Sequence, residues 1–276
     1  MKQLLRRGID RMPAPIPLYV QDVFRYVRYP KVRRRLQLHR QILDRIERPG
    51  EVVQGPFRGM RYISVAYCSE VLPKLLGTYE CELVPAIEAI CGAGCDRIVD
   101  IGAAEGYYAV GMALRNPEAM IIGFEMNPTA RFYLRRLSRS NGVEDRIQIE
   151  GTCDTETLRE ALEGAHLPAV ICDCEGAEDG LLRPDRVESL RRALIVVETH
   201  DGMETGDGVL EGVSRRIQER FASSHHVEVI DSRNRTREDL PPGYDLPSDE
   251  AAEAMNEGRP RAQWLFMTPK RGRADL

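Results

Sequence analysis

Carboxylates stand at the ends of short apolar runs in this chain, and each is followed by a turn. Asp100 closes Arg97-Ile98-Val99, Glu125 follows Met120–Phe124, Asp173 follows Ala169–Cys172 and Glu198 follows Leu194–Val197. After the first of these comes Gly102-Ala103-Ala104-Glu105-Gly106, a glycine-bounded turn leading into Tyr107-Tyr108 and a helical pattern. A strand, a tight turn and a helix start make the nucleotide crevice of an open α/β sheet. A dinucleotide turn offers backbone N–H groups to a pyrophosphate, whereas Asp100 and Glu105 would repel one. A cationic ligand suits these residues.

The densest group is Asp173-Cys174-Glu175-Gly176-Ala177-Glu178-Asp179, with carboxylates at 173, 175, 178 and 179. Such crowding is costly unless some of the acids face a cation or water. That cation could be a bound organic ligand, a divalent metal, or Arg183 or Arg186 nearby. Glu178 and Asp179 fit the first turn of the next helix, where the dipole favours them. Asp173 and Glu175 are the better site candidates, with His200 and Asp201 at the end of the following run.

The elements that must position these groups alternate along the chain. Ile98–Ile101, Met120–Phe124, Ile147–Glu150, Ala169–Cys172, Leu194–Val197 and Val227–Ile230 read as short buried strands, with helical patterns between most of them. Runs of this kind imply a parallel sheet covered on both faces. Gln263–Thr268 follows a polar loop at 231–262 and makes a seventh strand. The expected fold is α/β and Rossmann-like, with seven mostly parallel strands, the last one antiparallel, and helices on both faces. Upstream, Met12–Pro17 breaks regular structure and Val32, Leu36, His39, Leu43 and Ile46 trace an amphipathic helix over 31–47. Residues 51–64 alternate like paired strands turning near Arg58-Gly59. Residues 1–75 thus form an N-terminal extension, a lid or an oligomer contact, and residues 76–276 the main domain.

At 276 residues, 42% hydrophobic and 30% charged, the chain has the composition of an ordinary globular protein. It contains no apolar run long enough to span a bilayer and no signal-peptide pattern, so a cytoplasmic location is expected. Seven cysteines without paired Cys-x-x-Cys knuckles indicate reduced thiols, not a disulfide or zinc framework. The net charge is −4, yet the first fifty residues are strongly basic. Their arginines fit the solvated face of the amphipathic helix, and no aromatic residues are interleaved to stack on bases, which argues against nucleic-acid binding.

The segments Val99–Tyr108, Asp173–Glu178 and Val197-Glu198-Thr199-His200-Asp201 resemble successive motifs of the FkbM-type S-adenosylmethionine-dependent methyltransferases, which have a class I, Rossmann-like fold. Leu76–Glu80 resembles a lead-in found in some relatives, and Ala104 stands where a glycine is usual. S-adenosylmethionine has a sulfonium and an ammonium but no phosphate, as the acidic turn requires. The cofactor-binding residues expected on this reading are Tyr79, Glu80, Asp100, Gly102, Ala103, Glu105, Gly106, Tyr107, Glu125, Asp154 and Asp173. Within that set Glu125 is placed to accept ribose hydroxyls, and Asp154 either meets the adenine amino group or caps the helix starting at Thr155. The resemblance implies O-methylation of a small molecule such as a sugar or secondary metabolite. His200, Asp173 and Glu175 are the catalytic candidates, with His200 as general base. A magnesium site at Asp173, His200 and Asp201 is the alternative, and the metal-free base is preferred. Two other classes stay open, an NAD-dependent oxidoreductase on the same fold and a non-catalytic S-adenosylmethionine-binding protein.

Overall fold

The computed structural model describes residues 41, 42, 44, 50–63, 65–67, 69–206, 208–259 and 261–270. The Met12–Pro17 break, most of the expected helix over 31–47 and the basic segment lie outside the described residues.

Seven strands form one sheet. They are β1 (Arg97–Ile101), β2 (Met120–Phe124), β3 (Ile147–Glu150), β4 (Pro168–Cys172), β5 (Leu194–Thr199), β6 (His225–Asp231) and β7 (Gln263–Pro269). Their spatial order is β3-β2-β1-β4-β5-β7-β6. The first five are parallel, with Ile101 beside both Phe124 and Cys172, while β7 runs antiparallel between β5 and β6. This is the expected Rossmann-like fold, with chain order reversing at β1. The strand order turns there from β2 on one side to β4 on the other, which opens a crevice above the carboxyl ends of the strands.

Eight α-helices are described. They are α1 (Val71–Leu76), α2 (Val84–Ala93), α3 (Tyr107–Arg115), α4 (Pro128–Ser140), α5 (Thr155–Ala161), α6 (Glu178–Leu181), α7 (Val213–Phe221) and α8 (Ser248–Ala254). Strand periodicity of two sends Ile98, Ile121 and Val196 into one core with α2 and α3. Val99, Ile122, Val170 and Ile195 enter a second core with α5 and α7. Asp100, two residues after Ile98, therefore points to the first face, and it is only 3% exposed. No helix among the described residues is long and apolar enough to cross a membrane.

One expectation for the extension meets a different structure. Of the segment expected as paired strands, residues 51–63 are described and do not form extended strands, since a single antiparallel bridge, Glu51 to Arg61, joins the arms around the turn at 55–59. Its side chains explain why the segment is not free-standing. Val52, Phe57, Met60 and Tyr62 are buried in the same core as Ile87, Ile98 and Val110, and α1 itself straddles the boundary at 75/76. The described part of the extension is thus continuous with the first core of the main domain.

Candidate active site

A cleft of about 920 Å³ lies above the carboxyl ends of β1, β2, β4 and β5. It brings together Tyr79, Glu80, Asp100, Gly102, Ala103, Tyr107, Glu125, Asp173, Glu175, His200 and Asp201 of the expected site. Glu105, Gly106 and Asp154 do not line it.

The turn after β1 sets its floor. Gly102 has φ of 84°, and a Cβ there would stand 1.7 Å from the Asp173 carbonyl oxygen, so the close approach of β1 and β4 admits only glycine. The N–H groups of Gly102 and Ala103 donate to Phe124 O, that of Ala104 to Glu125 Oε2, and that of Gly106 to Ala103 O. Four donors of the turn are therefore spent on the protein itself. Glu125 Oε1 accepts from Asn127 N at 2.6 Å, so this acid ties the first turn to the start of α4 while still facing the cleft. Asp100 is held in the wall beneath, where burial pushes its carboxyl up to about 7. Its Oδ2 has no partner.

Glu105 corrects the expectation placed on it. Its carboxylate turns away from the cleft and is fully buried, where it accepts from Tyr62 Oη, Tyr67 N and Lys74 Nζ. Ala104, with φ of 47°, turns the backbone so that Glu105 points into the first core. The acid thus anchors the extension and α1 to the turn. Of the two roles open to Asp154, the structure shows the helix cap. Its Oδ1 accepts from Glu156 N and Thr157 N, Thr157 Oγ1 accepts from Asp154 N, and the neighbouring Cys153 lines the cleft instead.

Tyr79 and Glu80 close one side. The Tyr79 ring carries Lys74 Nζ at 4.7 Å and the Arg259 guanidinium at 5.3 Å, and Tyr107 meets it edge-on at 5.5 Å. Glu80 pairs with Arg259 at 2.8 Å and accepts from Tyr108 Oη. Arg259 also reaches Glu198 at 3.1 Å and Glu257 at 3.0 Å. The sequence offered no sign of Arg259, which sits in an irregular polar loop. Only the tertiary fold brings that loop over Tyr79 and Trp264.

The β4 and β5 ends meet at His200. Its Nδ1 donates to Glu178 Oε1 at 2.7 Å, and Glu178 is completely buried and also accepts from Gly176 N. Glu178 therefore orients the imidazole, a role its place in α6 did not reveal. On the cleft side, Nε2 lies 3.6 Å from Asp173 Oδ1, 3.7 Å from Glu175 Oε2 and 3.9 Å from Glu198 Oε1. Burial opposes a charged ring, but the hydrogen bond to Glu178 and the charges of Glu178, Asp173 and Glu198 prevail and push His200 up to about 9. The surrounding acids thus make His200 hold a proton more tightly than a free imidazole does. Burial, together with Glu198 and Glu80, raises Asp173, and burial raises Glu198 to about 7.

Asp201 does not join this group through its carboxylate. Its two oxygens accept from Val213 N at 2.7 Å and Ser214 N at 2.9 Å, which fixes the start of α7. Glu175 takes the place expected of Asp201, forming with Asp173 and His200 a set whose donor atoms all lie within 4.8 Å of one another. Asp179 is likewise spoken for by Arg216 and Arg220, and the six described cysteines are unpaired.

No family model and no curated protein matches the chain. Among solved structures, it is similar to a precorrin-6y C5,15-methyltransferase from Geobacter metallireducens, at 14% identity and a TM-score of 0.44 over 68% of this chain and 87% of that one. An O-methyltransferase of Streptomyces achromogenes involved in tomaymycin synthesis, solved with SAM, gives 14% and 0.42 over 67% and 78%. A Podospora anserina methyltransferase bound to SAH gives 14% and 0.40 over 98% and 95%. Likeness this distant bears on no residue, so the chemistry must be argued from the cleft.

Proposed function

We propose that the protein is an S-adenosylmethionine-dependent methyltransferase acting on a hydroxyl of a small-molecule acceptor. The observation that carries this reading is the turn after β1. Four of the five N–H groups of the turn 102–106, those of Gly102, Ala103, Ala104 and Gly106, are spent on protein acceptors, so the turn itself does not offer the set of free donors that the pyrophosphate of NAD would require. Around that turn the cleft is acidic, because Lys74 is committed to Glu105 and Arg259 to Glu80, Glu198 and Glu257. Asp100, Glu125, Asp173 and Glu175 outnumber His200, the cationic partner beside two of them, and burial disfavours the charged forms of Asp100 and Asp173 until a cation is supplied, so the cleft suits a positively charged ligand. The unpartnered Asp100 Oδ2 in the cleft wall fits a ligand with an ammonium and a sulfonium.

On this reading Glu125 accepts the ribose hydroxyls, Cys153 borders the adenine, Asp100 faces the cationic methionine part, and Tyr79 and Tyr107 wall it. Bound there, S-adenosylmethionine supplies an electrophilic methyl group for in-line displacement from sulfur. The chain's own contribution is alignment, which can be worth roughly 7–11 kcal/mol at best, and handling of the acceptor's proton. Asp173, Glu175 and His200 stand where that proton leaves. A cationic ligand against the same acids weakens their hold on a proton at His200. The FkbM-type resemblance favours oxygen as the accepting atom.

Titration calorimetry with S-adenosylmethionine, S-adenosylhomocysteine and NADH tests the cofactor. Micromolar binding of the first two without NADH is expected, and the reverse would replace this reading by an oxidoreductase. Release of S-adenosylhomocysteine with a panel of hydroxylated acceptors tests turnover. Tight cofactor binding with no release on any acceptor would favour a binding protein.

A further inference from the structure

We infer that Asp173, Glu175 and His200 form a binding site for one oxygen-preferring divalent cation of the magnesium or manganese kind, open to the cleft. This deepens the preceding reading, because the ion would sit where the acceptor's hydroxyl is handled. An imidazolium collapsed onto a carboxylate would show one charge-assisted hydrogen bond of about 2.7–2.9 Å. His200 Nε2 shows none on the cleft side. It stands instead at nearly equal distances, 3.6, 3.7 and 3.9 Å, from oxygens of Asp173, Glu175 and Glu198. The donor atoms of Asp173, Glu175 and His200 lie within 4.8 Å of one another. Donors about 2.0–2.2 Å from a common small ion stand about 3 Å apart when adjacent and about 4.2 Å when opposite, so closing the observed set needs only small side-chain movements.

Two further features point to a ligand at that centre. Asp173 Oδ1 is shut off from solvent and has no hydrogen-bond partner, a state that leaves a buried acceptor unsatisfied. On the far side of the ring, Nδ1–H is held by the buried Glu178 carboxylate at 2.7 Å, the carboxylate–histidine–metal relay that fixes the tautomer and directs the Nε2 lone pair outward. The two carboxylates and one imidazole leave other coordination positions facing the cleft for water and an acceptor oxygen. Glu198, already paired with Arg259, borders the site. A mixed oxygen and nitrogen set without thiolate excludes a structural zinc site of the cysteine type. A hydroxyl bound to the ion would ionise more readily, through the same charge effect that acidifies metal-bound water.

The test uses the full chain without cofactor. Manganese titrated into the protein and followed by electron paramagnetic resonance should show one bound ion per chain, displaced by magnesium in excess. Asp173→Asn should weaken it at least tenfold. Glu175→Gln, at an exposed turn position where folding is not at risk, should weaken it by a similar factor, while the remote Asp185→Asn should leave it unchanged. Absence of a stoichiometric ion, or binding indifferent to both Asp173→Asn and Glu175→Gln, overturns the inference. S-adenosylmethionine binding measured without metal keeps the two proposals separable. Cofactor binding without an ion leaves the methyltransferase reading standing alone, and an ion without cofactor binding leaves the metal site alone.

Discussion

Replacing Gly102 by alanine tests the placement of the cleft floor, and Gly94→Ala supplies a matched control. Both glycines have positive φ, 84° and 75°, so each substitution carries the left-handed cost of roughly 1–2 kcal/mol. They differ in space. A Cβ on Gly94 meets nothing within 4 Å, whereas one on Gly102 would stand 1.7 Å from Asp173 O and 2.8 Å from the carbonyl carbon. Since real Cβ contacts do not fall below 3.0 Å, the β1 and β4 ends would have to separate by more than about 1 Å. That movement strains the bond from Asp173 N to Ile101 O, now 2.9 Å, at about 1 kcal/mol, with roughly 1–3 kcal/mol of further backbone strain. The expected losses are about 1–2 kcal/mol for Gly94→Ala and about 3–6 kcal/mol for Gly102→Ala. Urea unfolding reads both as shifts in midpoint at constant slope. Equal losses would refute the close approach of the two strand ends and, with it, the position assigned to Asp173.

Other expectations follow from single contacts. Lys74→Met strands the buried Glu105 carboxylate and should cost about 3–5 kcal/mol, most of it regained in the Lys74→Met/Glu105→Gln double variant; additive losses in a double-mutant cycle would show that the pair is not coupled. Asp154→Ala should lower the melting temperature through loss of the α5 cap and leave S-adenosylmethionine affinity unchanged in calorimetry, and a weakened affinity would return Asp154 to the cofactor site. Asp100, raised to about 7 from 3.8, keeps its proton in the folded state after the unfolded chain has lost it. Its contribution to stability is therefore full below about pH 4 and lost as pH rises toward 7. Asp100→Asn should accordingly gain on the wild type by up to about 4 kcal/mol between pH 4 and 8 in urea unfolding, and a constant difference would contradict an elevated Asp100.

The element order was written in local pattern. Met120–Phe124 begins and ends as a strand where its apolar run does, because a strand buried on both faces needs uninterrupted apolar side chains, whereas Ile147–Glu150, at the sheet edge, alternates apolar and polar residues and buries only Ile147. Gly94 ends α2 in the left-handed conformation that glycine adopts most readily. The acids at strand ends were equally legible, since topology alone carries Asp100, Glu125, Asp173 and Glu198 to one sheet edge. Which way each carboxylate turns was not legible. Glu105 and Glu125 differ in sequence only by position in their turns, yet the left-handed Ala104 aims one into the core beside Lys74, while the other faces the cleft.

Long-range contacts decided the rest. Asp201 was drawn away to the N–H groups that begin α7, twelve residues downstream, and Glu175 took its place beside His200. Glu178 became the partner of an imidazole twenty-two residues away, and Arg259 crossed from the C-terminal loop to Glu80. Residue type and spacing determined that acids would gather above this sheet, because strand direction and period are local properties. The division of those acids among helix caps, buried ion pairs and an open cleft depends on which donors the folded chain sets within hydrogen-bond reach, and only the tertiary structure supplies that.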